Sequence, residues 1–192
     1  MKKADLRKVL LDRRNGLTAE FVEEASIKAQ NHLLADKAWQ QADQVVIYSP
    51  VHNEVRTNLL FKDIWEKGKK LFLPRCSSTK GEMTLAACSG THELEQGKYG
   101  ILEPTSGCVS IDYDDPAFTP SIVITPGVGF DFNGNRLGFG GGYYDRMLLK
   151  SAFNHATFVG LAYSFQVVPA LEADPWDQAM DAICTEETLR WL

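Results

Sequence analysis

Four short apolar runs, at 45–48, 70–73, 122–125 and 157–163, each lead straight into a segment of unusual composition, and no other feature limits the possible folds as strongly. The runs are separated by helical patterns, which is the signature of a mostly parallel sheet. The segments that follow them are SPVHNEVRTN, LPRC, TPGVGFDFNGNRLGFGGGYYD and YSFQ. In a parallel sheet the carboxyl ends of the strands share one edge, where ligands bind. The expected fold is therefore α/β, a three-layer arrangement with a mostly parallel central sheet flanked by helices, and the four loops should converge on one site.

Ahead of the sheet, Leu6, Val9, Leu10 and Arg13 recur at i, i+3, i+4 and i+7 and predict an amphipathic helix over 2–14, with Lys3, Arg7, Arg13 and Arg14 on it. Asn15-Gly16 stops it. Thr18 is placed to cap a second helix through Phe21, Ala25, Ala29, Leu33 and Leu34, and the two are expected to pack as an N-terminal helical pair. Thr57 caps a further helix through Leu60, Ile64 and Trp65, ended by Gly68. Residues 83–87 read as another strand, 143–150 as a helix and 181–185 as an edge strand. The glycine- and proline-rich stretch 89–120 yields no assignment. At 192 residues and 44% hydrophobic, the chain suits a single domain over 1–192.

A formal net charge of −5 argues against a nucleic-acid partner, since such binding uses a basic face. The basic start MKKADLRKVLLDRRNG lacks an uninterrupted apolar stretch, and no later run reaches membrane-spanning length, so no membrane association is expected. The four cysteines, Cys76, Cys88, Cys108 and Cys184, form no C-x-x-C pair and have no paired histidine spacing; neither a zinc site nor a redox dithiol is indicated, and reduced thiols in the cytoplasm are the default expectation.

The chemistry concentrates in Leu137-Gly138-Phe139-Gly140-Gly141-Gly142-Tyr143-Tyr144-Asp145. Closely spaced glycines let a backbone approach an anion, and the helix that follows offers free N–H groups. Arg136 adds a planar fork suited to phosphate, and Asp145 a hard oxygen ligand for magnesium. A bare turn would need neither. The loop is not a Walker A sequence, because no Lys-Ser/Thr follows its glycines. Glu54 lies on a strand-to-helix connection where it either faces the shared edge or serves as a first-turn acid. Lys3 and Arg7, four apart on one helical face, either reach an anion or form a solvated basic face. Asp174, Asp177 and Asp181 are spaced to offer a second carboxylate, Asp181 being at the start of the apolar run Ala182-Ile183-Cys184.

Taken together, SPVHNEVRTN, LPR, GVGFDFNGNRLGFGGGYYDR and DPWDQAMDAICTEE resemble the 5-formyltetrahydrofolate cyclo-ligase family over nearly the whole chain, the R-L-G-x-G-x-G-Y-Y-D block being the most specific part. The resemblance implies conversion of 5-formyltetrahydrofolate to 5,10-methenyltetrahydrofolate by a monomeric enzyme, with ATP consumed, ADP and phosphate released, and magnesium required. It implies that Lys3, Ala4, Asp5, Leu6 and Arg7, together with Arg136, Leu137, Gly138, Phe139, Gly140, Gly141, Gly142, Tyr143 and Tyr144, contact ATP. Ser49 and Glu54 would contact the folate, with Phe139 to Tyr143 between folate and nucleotide. Asp145 and Asp181 would hold magnesium, and Arg136 and Asp145 would carry the catalysis. Gly141 stands where some members have a lysine, so the positive charge must come from Arg136, Lys3 or Arg7; Arg56 stands where an acidic or neutral residue is expected. The competing possibilities are a sugar-phosphate or CoA-ester enzyme of similar architecture and a non-catalytic sensing module.

Overall fold

A computed structural model describes residues 2–76, 83–97 and 102–192; the part of the unassigned stretch at 98–101 lies outside them. The elements are α1 (Lys3–Asn15), α2 (Ala19–Leu34), α3 (Lys37–Gln41), β1 (Gln44–Val46), α4 (Asn58–Glu66), β2 (Lys70–Cys76), β3 (Met83–Cys88), β4 (Leu94–Gln96), β5 (Leu102–Pro104), β6 (Ile122–Thr125), β7 (Gly129–Asp131), β8 (Arg136–Leu137), α5 (Tyr143–Leu148), β9 (Thr157–Leu161), β10 (Val167–Val168), β11 (Ala182–Cys184) and β12 (Leu189–Trp191).

The main sheet has seven strands in the order β12-β11-β9-β6-β1-β2-β3. Strands β11, β9, β6, β1 and β2 run parallel, and β12 and β3 close the edges antiparallel. Successive residues of a strand point to opposite faces, and both faces are covered. Val45, Ile47, Ile122, Ile124, Val159 and Leu161 join Val22, Ala29, Leu33, Leu60 and Ile64 of α2 and α4 on one side. Val46, Phe72, Leu85 and Val123 meet Met147 and Leu148 of α5 on the other. Burial on both faces is why the inner strands read as unbroken apolar runs.

Local signals act where expected, with two exceptions. The Thr18 hydroxyl accepts the Phe21 amide at 3.2 Å and starts α2. Gly68, at φ +67°, ends α4 in a Schellman turn, with Lys69 N–H donating to the Ile64 carbonyl at 2.9 Å and Gly68 N–H to Trp65 at 3.2 Å. Thr57 precedes α4 without capping it by side chain; its hydroxyl donates instead to the Tyr48 carbonyl at 3.3 Å, tying the helix to the end of β1. The segment expected as an edge strand, 181–185, is an inner one, because Thr185 accepts the amides of Glu187 and Thr188 and turns the chain back into β12.

The two N-terminal helices form but pack on different partners. Leu10 of α1 joins Val128 and Leu137, whereas Val22, Ala25, Ala29 and Leu33 of α2 lie on the main sheet. The buried stripe of α1 also differs from the one expected. Val9 is 56% exposed and Arg13 is exposed, while Leu10 and Arg14 are buried, so the stripe follows Leu6, Leu10 and Arg14.

Beneath α1 lies a second, three-stranded sheet, β10-β7-β8, in the region that read as loop. Asp131 organises its hairpin: the buried carboxylate accepts the amides of Asn133, Asn135 and Leu171 and the Asn135 side chain at 2.7–3.0 Å. Burial pushes this carboxyl up, but the Asn135 side chain and the three amides outweigh it and hold it below its ordinary value. The small sheet carries the glycine-rich loop from the end of β6 to α5.

Candidate active site

Strands β1, β6, β9 and β11 end on the side where 47–57, 126–142, 162–166 and 185–186 begin, and these loops meet there; the fourth segment expected among them, LPRC, is instead the second half of β2, paired with β3, with Arg75 donating to the Thr105 and Cys108 carbonyls. Two buried cations hold them together. Arg14, 1% exposed, donates from Nε to the His52 carbonyl at 3.1 Å and from Nη1 to the Gly127 carbonyl at 3.2 Å, and lies 3.6 Å from Glu54. His52 and Asn53 adopt positive φ, and the Asn53 side chain donates to the carbonyls of Arg14, Asn15 and Leu17 at the end of α1. Gln166 reinforces the same junction, giving its amide to the carbonyls of Gly127 and Val128 at 2.9 Å each.

The second cation is Arg136. Its Nη2 meets the Asp145 carboxylate at 2.5 Å, its Nη1 reaches the Pro126 carbonyl at 3.5 Å and its guanidinium lies 5.3 Å from the Tyr144 ring centre. Between the two cations runs Gly138–Gly142. Gly140 (φ +98°) and Gly142 (φ +64°) hold backbone conformations closed to larger residues without strain, and a side chain on Gly142 would collide with Arg146. The Phe139 ring, 52% exposed, lies over Arg14 at 5.4 Å.

Arg7 donates to the Gly138 carbonyl at 2.8 Å and approaches Gly140, so it belongs to the loop and not to a solvated basic face. Arg146, absent from the sequence reading, donates to the Gly141 carbonyl at 2.6 Å and brings a cation to the position where a lysine is missing. Because α5 has only six residues, its dipole is short, and the positive field of the loop comes from these side chains. Lys3 takes another direction: it pairs with Asp174 at 2.7 Å and approaches Asp177 at 3.8 Å, which raises its pKa. Ala4 and Asp5 are exposed, and Leu6 packs with the α1 cluster.

Ser49 follows β1 at the shared edge, half-buried. Glu54 is 6% exposed and accepts the Val51 amide at 3.1 Å. Burial pushes its carboxyl up to about 7, against the opposing pull of Arg14. Arg56 is ion-paired with Glu23 of α2.

Asp145 and Asp181 are not brought together. Asp145 heads α5, which packs toward β3, and it is bound to Arg136. Asp181 precedes β11, across β9 and β6 and at the entry end of the parallel strands, where its carboxylate accepts the Phe158 amide at 2.7 Å. Each carboxylate therefore has its own partner, Asp145 the Arg136 guanidinium and Asp181 the Phe158 amide. The separation is directional: a residue before a parallel strand lies opposite the edge where the loops gather.

Arg14 is the principal residue that sequence reasoning missed. Its partners in the other loops lie 38 and 113 positions away, so no local motif marks them. The available signal was its position four residues beyond Leu10, a charge on the apolar stripe.

Comparison with known proteins gives a consistent result. Residues 1–186 match the 5-formyltetrahydrofolate cyclo-ligase family. The chain is 29% identical to the mouse 5-formyltetrahydrofolate cyclo-ligase over 97% of its own length and 94% of that protein, and 31% identical to the Haemophilus influenzae 5-formyltetrahydrofolate cyclo-ligase over 91% and 90%. The solved structure of the Aquifex aeolicus 5,10-methenyltetrahydrofolate synthetase superposes with a TM-score of 0.83 at 35% identity, covering 100% of this chain and 93% of that one.

Proposed function

Because the chain belongs to the 5-formyltetrahydrofolate cyclo-ligase family and is by that membership a ligase, we propose that it closes 5-formyltetrahydrofolate to 5,10-methenyltetrahydrofolate at this strand-end site, with ATP as phosphoryl donor and magnesium as counter-charge. One observation carries the reading: the loop Gly138–Tyr144 spans from the Arg136–Asp145 pair to the Arg14–Glu54 pair, with Phe139 over the latter. The nucleotide's phosphates fit the first end and the folate the second.

An N-formyl oxygen is a poor leaving group, so the folate's second nitrogen, outside the pterin ring, cannot displace it directly. Transfer of the γ-phosphoryl group to that oxygen releases ADP and creates an iminium phosphate; the neighbouring nitrogen then attacks intramolecularly, its proton passes to solvent, and the carbon–oxygen bond breaks as phosphate departs. The chemistry asks the protein for charge stabilisation and alignment, and alignment alone is worth up to about 7–11 kcal/mol. Arg136, Arg7, Arg146 and the loop amides supply the charge, and Phe139 with Glu54 orients the folate. No thiol is required.

The magnesium fit rests on Asp145. A single carboxylate completed by phosphate oxygens and water is an ordinary setting for this ion, and it neutralises charge on the transferring group. Asp181 enters such a site only if the entry end of β11 moves. The site is assembled within one chain, which fits a monomer acting on small molecules.

The direct test mixes the protein with 5-formyltetrahydrofolate, ATP and magnesium and follows the near-ultraviolet absorbance of the methenyl product. A rise that disappears when either ATP or magnesium is omitted is expected; no rise in the complete mixture overturns the proposal.

Glu54 yields a second expectation. With its carboxyl near 7, the ionised form grows as pH rises through neutrality, so the folate KM should fall over that interval if the carboxylate accepts the folate's N–H groups. Glu54→Gln should raise KM about tenfold and flatten this dependence, since a charged hydrogen bond is worth about 1.5–3 kcal/mol. An unchanged KM–pH profile in the variant would remove Glu54 from folate binding.

A further inference from the structure

We propose that Cys88, Glu93 and Cys108 form a second site, separate from the catalytic loops, for a soft divalent cation of the zinc class. Their sulfur and carboxylate atoms all lie within 4.8 Å of one another, and both thiols are free and buried. Two thiolates and a carboxylate are a zinc-selecting donor set. The cluster escaped the sequence reading because 88, 93 and 108 match no short metal spacing.

Pairing geometry assembles it. The segment after β5 returns antiparallel beside β3, with a bridge between Ala86 and Ser110 and the Ile111 amide donating to the Leu85 carbonyl at 2.8 Å. Two positions further along, the same register sets Cys88 opposite Cys108. Facing residues in such a pair have Cβ atoms about 4.5–5.5 Å apart. That is wider than the ~3.8 Å typical of a disulfide, and it suits two sulfurs each about 2.3 Å from one ion. Glu93 is fixed alongside: its carboxylate accepts the Ser89 amide at 2.6 Å, and its carbonyl accepts the Thr105 amide at 2.8 Å. Arg75 donates to the carbonyls of Thr105 and Cys108 at 2.6 and 3.1 Å, placing a positive charge next to a donor set that is anionic when loaded.

A cavity of about 550 Å³, lined by Cys88, Ser89, Glu93 and Cys108 among others, opens onto the cluster and admits an ion with a water as fourth ligand. A buried thiol binds such a cation as its thiolate and must give up its proton to do so. Loading therefore releases protons and tightens as pH rises. The bound ion would tie Glu93 and Cys108 to the end of β3.

The test titrates metal-free protein, without ATP, with Zn²⁺ against a chromophoric chelator and with Cd²⁺ while following thiolate-to-metal absorption. One equivalent per chain is expected, with proton release and a melting temperature raised by about 5 °C or more at zinc a hundredfold above its Kd. Cys88→Ala and Cys108→Ala should abolish the Cd²⁺ band, Glu93→Gln should weaken zinc binding about tenfold, and Cys184→Ala should leave both intact. Equal binding in the double cysteine variant overturns the site. Loss of free thiols without metal uptake, the mark of a disulfide, overturns it as well.

Discussion

Arg136→Ala is expected to lower kcat/KM by about 10²–10³, on the order of 3–4 kcal/mol of transition-state stabilisation, while the chain remains folded. The Arg136 side chain is 5% exposed, and its Nε is buried without a hydrogen-bond partner among the described residues. Buried donors are nearly always satisfied, so an unpaired one beside a glycine loop suits an incoming acceptor, and under the proposed function a phosphate oxygen would be that acceptor. Folding should survive because Asp145, the partner left behind, is 23% exposed and takes water in place of the arginine. Lysine at 136 should not restore the rate, since a point charge cannot meet Asp145, Pro126 and a phosphate at once. Steady-state kinetics beside a thermal melt check this. A wild-type kcat/KM in Arg136→Ala would remove the phosphate role, whereas equal losses of rate and melting temperature would assign Arg136 to folding.

What the sequence disclosed follows from how each part is buried. Strands β1, β6 and β9 are covered on both faces, so they stand out as apolar runs, and their parallel order places 49–57, 126–142 and 162–166 on one edge. The sheet β10-β7-β8 was hidden because two- and three-residue strands of Gly, Asp, Arg and Val leave no periodicity, and Asp131, which organises it, looks like any loop acid. The glycine loop announced itself because Arg136 and Asp145 lie within nine positions. On its residues alone Arg7 read as part of a solvated basic face, only the family resemblance bringing it to the nucleotide, and Arg146 was missed, because both donate to backbone carbonyls, which carry no residue signature. The facing thiols were hidden for a related reason: an antiparallel register, not a spacing, brings Cys88 to Cys108.

Arg14 shows how far the site depends on one such contact: Arg14→Met is expected to destabilise the fold by about 1–3 kcal/mol for each of the His52 and Gly127 carbonyls it leaves unpaired, and by about 1 kcal/mol more near pH 7.5 through the charge of Glu54, which can escape further cost by taking up a proton. The substitution keeps the apolar stem against Leu10 and Phe139 but leaves Glu54 buried without its cation. The pH dependence separates this cause from lost packing. In the intact protein the Glu54 carboxyl is already raised to about 7 from 4.5, so the folded chain binds the proton more tightly than the unfolded one, and this contribution to stability is full below 4.5 and lost as pH rises through 7. Without Arg14 the folded value climbs further. The cost of the substitution should therefore grow from pH 4.5 to pH 8 and shrink on acidification, where Glu54 is neutral in both states. Adding Glu54→Leu should recover the pH-dependent part of the loss, because removing both charges spares the desolvation that removing one exposes. Denaturant unfolding of wild type, both single variants and the double variant at the two pH values measures the coupling. A cost that is the same at both, or a double variant no more stable than Arg14→Met, would mean that the ties to the His52 and Gly127 carbonyls, and not the charge pair, hold α1 against the loops.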